Sequence, residues 1–282
     1  MLNLLPIRFS EGLASGISAI LYRVLPKRKR IALANLDIAY GNSIPLKQKE
    51  AIARKSLHHF VISLIEFFRI PAMLKDAAQR FTFEGTEFLD QAFARGHGII
   101  LVISHLGSWE YLAFLPFLRG YPCSVVVRRV KNPYIYEWIQ KLRIKTKLNP
   151  IDRKSSVREI LRELRQNHLV AILIDQWAGQ EGIWIDFFGE PTSTTSIPVR
   201  LAIRTQAALI PAYCLRTGCG QYRIVIKPEV AIQGEEQERE EKTTFALNHL
   251  LEKEILKHPE QWTWSHRRWK SQSRHKANVS AV

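Results

Sequence analysis

The sequence predicts an α/β protein with a mostly parallel central sheet flanked by helices and an N-terminal helical lead-in. From residue 81 onward, short apolar runs alternate with helical patterns, which is typical of parallel strands covered by helices. The run 99–103 is continuously apolar and bounded by glycines, which indicates a strand buried on both faces. With 282 residues, 46% of them hydrophobic, the chain can bury a core of this size.

The first 75 residues predict helices. The uncharged stretch 12–22 is shorter than the roughly 20 residues that a spanning helix needs, and a basic cluster follows it at 26–30. This segment is either an interfacial anchor on an anionic membrane or an amphipathic helix that packs on the domain. Helical patterns follow over 28–40 and 46–68. We expect a helical, membrane-associating region over 1–75 and an α/β domain over 76–282, or else one single domain over 1–282.

The other elements follow from the same periodicities. Strands are predicted at 81–83, 99–103, 124–127, 169–174, 208–213 and 222–226, the last of them antiparallel. Helices are predicted at 86–95, 110–118, 133–145, 157–166, 199–205 and 244–258. The segment 182–195, with aromatic residues followed by threonines and serines, is interpreted as a loop.

The leading candidate site follows the strand 99–103. Because ligands of open α/β sheets bind at the carboxyl ends of the strands, His105 stands where chemistry is expected. Gly107 allows a tight turn or the close approach of a substrate. Ser108 is expected to cap the next helix, and Glu110 lies in the first turn of that helix, from which its carboxylate can reach the imidazole. The pattern is His-x-x-x-x-Glu.

A histidine beside a carboxylate has a definite chemical use. The neutral imidazole of His105 can take the proton of an attacking hydroxyl, while Glu110 holds the tautomer and stabilises the imidazolium. With no serine or cysteine assigned as nucleophile, a substrate hydroxyl would attack an acyl thioester directly. Amides near Gly107, or an arginine, would stabilise the oxyanion. The segment 182–195 could line a tunnel for the acyl chain or tuck onto the core.

Two further polar pairs follow predicted strands. Arg128 and Arg129 come directly after one strand, and Asp175 and Gln176 directly after another. Because parallel strands end at the same sheet edge, both pairs are expected to share a crevice with His105. An arginine could bind a phosphate or carboxylate, or polarise the thioester carbonyl, and Asp175 could fix Arg128 or orient His105. The alternative is that all four are ordinary strand-end polar residues.

The formal net charge of +15 favours an anionic partner, whether nucleic acid, membrane surface or acidic substrate. Three tryptophans alternate with cations over 262–270, which suits a membrane interface, stacking on single-stranded nucleic acid, or a tail held on the fold by its indoles. No binding-module signature supports a nucleic-acid partner. The three cysteines show neither a disulfide framework nor a zinc-like spacing, so a zinc site is not expected.

Five ordered blocks resemble the bacterial lipid A biosynthesis acyltransferase family, the lauroyl and myristoyl transferases, and their lysophospholipid-acyltransferase-like relatives. The blocks are 99–110, 127–133, 174–176, 186–191 and 258–270. The resemblance implies a glycerolipid-acyltransferase-like fold with His105 as catalytic base, Glu110 as its partner, and Arg128 and Asp175 in support. It implies no metal or organic cofactor.

The resemblance also implies an enzyme at the cytoplasmic face of the bacterial inner membrane, peripheral or N-terminally anchored. Such an enzyme moves a fatty acyl chain from acyl carrier protein or coenzyme A to a hydroxyl of a membrane glycolipid. The expected acceptor is a lipid A precursor, and anionic membrane lipids are further expected partners. The short apolar N-terminal segment favours peripheral anchoring. Alternative acceptors are a lysophospholipid and a mannosylated phosphatidylinositol. Other classes are a non-enzymatic nucleic-acid- or membrane-binding protein and an idle membrane-surface scaffold.

Overall fold

A computed structural model describes residues 6–127, 129–152 and 156–270. The helices are α1 Ile7–Val24, α2 Pro26–Tyr40, α3 Leu46–Phe68, α4 Ile70–Met73, α5 Ala77–Arg80, α6 Thr86–Ala94, α7 Phe114–Arg119, α8 Pro133–Lys145, α9 Ser156–Arg165, α10 Ile197–Thr205 and α11 Arg239–Lys257. The strands are β1 Phe81–Glu84, β2 Ile99–Ile103, β3 Cys123–Val127, β4 Leu148–Asp152, β5 Leu169–Leu173, β6 Ile183–Phe187, β7 Glu190–Thr194, β8 Ala208–Gly218 and β9 Gln221–Ile226.

Seven strands form the central sheet in the order β1-β9-β8-β2-β5-β3-β4. The five strands from β8 to β4 are parallel to one another, whereas β9 pairs antiparallel with β8 and parallel with β1. The mostly parallel sheet flanked by helices is thus confirmed, as is the antiparallel direction of β9. The central strand β2 is buried along its whole length, which agrees with its continuous apolar run.

Alternate residues of the central strands enter two separate core layers. Ile100 and Val102 of β2 point into the layer that α9, α10 and α11 cover. Leu101 and Ile103 point into the opposite layer, which holds residues of α7 and α8. This is the two-sided burial that a period of two residues produces in a covered sheet.

Predicted and observed elements differ in several places, of which three concern the strands and the candidate site. The strand β4 was not predicted because Asn149, Pro150 and Asp152 interrupt its apolar pattern. The segment 182–195, interpreted as a loop, forms the antiparallel hairpin β6–β7, in which Thr192, Ser193 and Thr194 are buried. Within the predicted helix 110–118, the first part is the 3-10 helix Trp109–Ala113.

The N-terminal helix α1 packs on α3. Its Ala14 is buried against Val61, Ile62 and Ile65 of α3, while Ile20 and others remain exposed. Of the two interpretations of this segment, the structure shows the packed amphipathic helix. Among residues 6–127, 129–152 and 156–270, no helix is both long and apolar enough to cross a membrane. The division of the chain at residue 75 stays a prediction.

Candidate active site

His105 and Asp175 meet because their strands are in register. The adjacent parallel strands β2 and β5 place Ile103 opposite Leu173. Each of the two polar residues comes two positions after this pair, so the pairing carries both to the same edge of the sheet. There, Nδ1 of His105 lies 2.9 Å from Oδ1 of Asp175. The side-chain pair at the predicted crevice therefore joins residues that are 70 positions apart.

The carboxylate of Asp175 is buried and holds three donors. Besides the imidazole, the backbone amide of His105 and the indole N–H of Trp262 each donate to Oδ2 at 2.9 Å. Burial alone would raise the pKa of Asp175, but the charge of the imidazole and these hydrogen bonds outweigh it and lower the pKa to about 2. Asp175 is therefore ionised and fixed at neutral pH. The sequence did not predict the contact of Trp262 with Asp175.

The contact with Asp175 also sets the pKa of the His105 imidazole. Burial would lower its pKa, but the charge and hydrogen bond of Asp175, with a smaller effect of the Glu110 charge, raise the pKa above the ordinary 6.5. When Nδ1–H donates to Asp175, Nε2 carries the lone pair that can accept a proton. The side-chain amide nitrogen of Gln176 lies 3.2 Å from Nε2 and donates to this lone pair. A substrate hydroxyl therefore has to replace Gln176 at the reactive atom.

Glu110 forms its ion pair with Arg143 of α8 and not with His105. One guanidinium nitrogen of Arg143 lies 2.9 Å and 3.1 Å from the two carboxylate oxygens of Glu110. The prediction that Glu110 holds the imidazole tautomer therefore differs from the geometry, in which Asp175 occupies Nδ1. The physical reason is the register of β2 with β5, which brings Asp175 to Nδ1, while Arg143 of α8 lies within hydrogen-bond distance of the Glu110 carboxylate.

Gly107 turns the chain against β8 and leaves no room for a side chain. Its φ is +69°, and a Cβ there would lie 2.1 Å from the carbonyl oxygen of Cys214. Its amide donates to the carbonyl of Gln261 at 2.9 Å, and the amide of Ser108 donates to the carbonyl of Cys214 at 2.8 Å. These two amides are therefore not free for an oxyanion, and the alternative donor, an arginine, stays a prediction. The hydroxyl of Ser108 caps no helix and instead donates to Glu66 at 2.9 Å.

A buried ion pair between Glu66 of α3 and Arg216 of β8 supports the loop that follows His105. Two guanidinium nitrogens of Arg216 lie 2.6 Å and 3.1 Å from the Glu66 carboxylate, and the hydroxyl of Tyr222 donates to it at 2.5 Å. Burial would lower the pKa of Arg216, but the charge of Glu66 raises it. Arg216 also donates to the Ser108 hydroxyl at 2.7 Å. A lone glutamate in the apolar end of α3 was the sequence signal for this network.

The two strand-end arginines are not brought to His105 by any contact that the structure describes. Arg128 lies outside the described residues. Arg129 is exposed, and its guanidinium carbon lies 5.4 Å from the centroid of the Tyr136 ring. The assignment of both arginines to substrate binding stays a prediction.

Two cavities adjoin at the carboxyl ends of β3 and β5. The smaller, of about 170 Å³, is lined mainly by apolar side chains of β2, β3, β5 and α8, with Glu110 and Arg143 among them. The larger, of about 550 Å³, is lined by His105, Gln176 and residues from the start of α10. Leu173 and two valines of β3 line both cavities. An apolar chain in one and a polar group in the other would lie close to His105.

The C-terminal tryptophans belong to the core. Three large side chains of this segment are completely or almost completely buried: Trp262, Trp264 and Arg268. Arg268 donates to the backbone carbonyl of Gln176 at 3.0 Å and so holds the segment that carries Asp175. Of the three interpretations of this tail, the structure supports the one in which indoles hold it on the fold. The buried rings are not available for a membrane or for stacking on nucleic acid.

Comparisons of the sequence with known proteins found matches along most of the chain. The family model described as bacterial lipid A biosynthesis acyltransferase matches residues 1–271. The chain is 31% identical over 162 residues to a phosphatidylinositol mannoside acyltransferase of Mycobacterium tuberculosis, a match covering 55% of this chain and 51% of that protein. It is 26% identical over 274 residues to the lipid A biosynthesis lauroyltransferase of Escherichia coli, covering 95% of this chain and 87% of that protein. The chain thus spans about half the length of the mycobacterial relatives it matches and most of the Escherichia coli one.

Proposed function

Because this chain belongs to the bacterial lipid A biosynthesis acyltransferase family, we propose that it transfers a fatty acyl chain from an acyl thioester to a hydroxyl of a membrane glycolipid. The observation that carries the proposal is the His105–Asp175 pair, placed where an apolar cavity and a larger cleft adjoin. The thioester donor is acyl carrier protein or coenzyme A, because both are acidic and the chain carries a formal net charge of +15.

In the proposed reaction, His105 is the general base. The acceptor hydroxyl gives its proton to Nε2 as its oxygen bonds to the thioester carbonyl carbon. Asp175 holds the tautomer and stabilises the imidazolium. When the tetrahedral intermediate collapses, the carbon–sulfur bond breaks and the proton passes from Nε2 to the departing sulfur. The side-chain amide of Gln176, 3.2 Å from Nε2, is the proposed donor for the developing oxyanion once the acceptor hydroxyl has replaced it at Nε2.

The smaller cavity is the proposed site of the acyl chain. It begins at the carboxyl ends of β2, β3 and β5, represented by Leu173, and continues past Ala171 to Cys123 and Leu148 at the other end of these strands. Its lining of aliphatic side chains suits a hydrocarbon chain that lies along the sheet. The ester carbonyl would then remain at the strand ends, next to His105.

The proposed acceptor is a lipid A precursor, with a mannosylated phosphatidylinositol as the second candidate. Similarity to the lipid A enzymes extends over most of the chain, whereas the mycobacterial matches have higher identity over a shorter stretch. The proposed place of action is the cytoplasmic face of the bacterial inner membrane, with peripheral association. Buried tail tryptophans weaken the nucleic-acid alternative because their rings cannot stack on bases.

The test is acyl transfer by the purified protein. Acyl carrier protein, or coenzyme A, loaded with a labelled acyl chain is incubated with a bacterial lipid extract and either wild type or His105→Ala. Label is expected in a glycolipid with the wild type only, and mass spectrometry of the product identifies the acceptor. If the wild type yields no more labelled lipid than His105→Ala from either donor, the proposed function is wrong. Label in a lysophospholipid would correct the acceptor.

Filling the smaller cavity is expected to select for shorter acyl chains. Ala171 lies two residues, about 7 Å along the strand, below the carboxyl end of β5. Ala171→Leu would obstruct a long chain there, and overpacking of about 1–3 kcal/mol corresponds to a factor of roughly 5 to 150. We therefore expect kcat/KM for long-chain donors to fall at least about fivefold relative to short-chain donors.

The matched control is Val170→Leu, which enlarges the neighbouring residue on the opposite face of the same strand. That variant is expected to change stability without changing the ratio of kcat/KM between long and short donors. An equal change of this ratio in both variants would place the acyl chain outside the smaller cavity.

A further inference from the structure

The helix α8 exposes large apolar side chains at its N-terminal half. Tyr134 is 82% exposed, Ile135 46% and Trp138 48%. Tyr136, on the opposite side of the helix from Tyr134 and Trp138, lines the smaller cavity together with Ile139. One helix therefore separates the proposed acyl-chain cavity from solvent and presents an unburied apolar surface outward. A cluster of large exposed apolar side chains is unusual on the surface of a soluble protein and is typical of an interaction site.

An apolar stripe on α3 continues this surface to His105. Phe60, Leu64 and Phe68 succeed one another at intervals of four residues, so they share one face of α3. At one end the ring of Phe68 stacks on Trp138, with centroids 4.7 Å apart. At the other end Phe60 stacks on Trp109 at 6.0 Å, and Trp109 lies 5.1 Å from the imidazole of His105.

The charges around this surface are almost all positive. Between residues 129 and 147 one glutamate, Glu137, accompanies six cations: Arg129, Lys131, Lys141, Arg143, Lys145 and Lys147. Arg143 is paired with Glu110, while the other five are exposed. Lys141 shares the outward face of α8 with Tyr134 and Trp138. The apolar surface is thus bordered by cations that can meet an anionic one.

We propose that this docking face, formed by the outward side of α8 and the stripe Phe60, Leu64 and Phe68 of α3, binds the surface of an anionic phospholipid bilayer. Tryptophan and tyrosine are enriched at the depth of the lipid headgroups, and the cations that border the surface attract anionic lipids. An acidic carrier protein would complement the charges, but this charge match would not account for the exposed apolar side chains. Docked in this way, His105 and the smaller cavity lie beside the lipid. The choice of a lipid partner rests on the proposed function.

The docking face is tested by sedimentation with vesicles. The probe vesicles contain equal parts of phosphatidylethanolamine and phosphatidylglycerol, and pure phosphatidylcholine vesicles serve for comparison. We expect wild type to bind the anionic vesicles, and the variant Tyr134→Ser/Ile135→Ser/Trp138→Ser to bind them at least about tenfold more weakly. Reversing two charges, Lys141→Glu/Lys145→Glu, is expected to weaken binding to the anionic vesicles and to reduce its dependence on salt.

The matched control is Phe245→Ser/Leu256→Ser, which removes two apolar side chains of α11 that are 48% and 46% exposed. This helix covers the opposite layer of the sheet, so the control is expected to bind within about twofold of wild type. Thermal unfolding of each variant shows that the fold is intact. If binding survives the α8 variant and is lost with Ile20→Ser/Val24→Ser of α1, the proposal is wrong. The same holds if the α8 variant loses only its binding to acyl carrier protein.

Vesicle binding needs no catalysis, so the docking face and the proposed reaction can fail separately. His105→Ala is expected to bind anionic vesicles as wild type does. Binding of both proteins without any acyl transfer would contradict the proposed reaction and leave the docking face supported. Acyl transfer by a wild type that binds neither vesicle type would overturn the docking face alone.

Discussion

Asp175→Asn is expected to lower kcat for acyl transfer by roughly 10³- to 10⁴-fold, close to the effect of His105→Ala. Asparagine keeps the size of the side chain but can present its NH₂ group to Nδ1. The imidazole would then carry its proton on Nε2, and the atom that must accept the hydroxyl proton would be blocked. The measurement is single-turnover transfer from labelled acyl carrier protein, with sedimentation onto vesicles to verify that lipid binding is kept.

The pH profile distinguishes this role from a structural one. His105 is a base only when neutral, so activity is lost as pH falls through its pKa. Because Asp175 raises that pKa above 6.5, the acid limb of kcat/KM in wild type is expected above pH 6.5. In Asp175→Asn the raising charge is gone and burial lowers the pKa, so the acid limb of the residual activity moves to lower pH. An unchanged limb would contradict the pairing.

Glu110→Gln is the matched comparison, because Glu110 is the second carboxylate close to His105. It is bonded to Arg143 and influences the imidazole through its charge alone. Its neutral variant is therefore expected to lower kcat by clearly less than Asp175→Asn does. A loss as large as that of Asp175→Asn would show that Glu110, as the His-x-x-x-x-Glu pattern first indicated, takes direct part in the reaction.

Removing one partner of the buried ion pair is expected to cause the largest loss of stability. Arg216→Met leaves the Glu66 carboxylate buried without its counter-ion, which typically costs 3–5 kcal/mol. For a protein of this size, such a loss in the free energy of unfolding lowers the melting temperature by roughly 6–20 °C. The measurement is thermal and denaturant unfolding followed by circular dichroism. Because Ser108 bonds to both residues, loss of acyl transfer is expected even below the melting temperature.

Two further variants test the origin of this loss. Arg223→Met removes an arginine of the neighbouring strand whose ion pair with Glu84, at 3.8 Å, is solvent-exposed, so the expected change is below about 1 kcal/mol. Glu66→Leu combined with Arg216→Met removes both buried charges. The double variant is expected to lose less than the sum of the two single losses, since each single variant leaves one unpaired buried charge and the double variant leaves none. Strict additivity would show that the two charges act independently.

Much of the architecture could be predicted from the sequence because local patterns encode it. The apolar run of β2 and the three- and four-residue spacing along α3 predicted those elements with the observed bounds. Prediction failed where the local signal was weak, as in β4, or where burial depended on a distant partner, as in the hairpin β6–β7. The threonine and serine residues of that hairpin are typical of a surface segment, because the residues that bury them are distant in the sequence.

What the sequence determined by itself was the sheet, its covering helices, and the placing of His105 and Asp175 at strand ends. The register of β2 with β5 decided which carboxylate contacts the imidazole. It brings Asp175 to His105, although Glu110 is nearer in the sequence. The ion pair of Glu66 and Arg216, 150 residues apart, likewise exists only in the folded chain. The physical reason is that periodicity reports which face of an element is buried, whereas hydrogen bonds need two groups within about 3 Å, a distance that only tertiary packing sets.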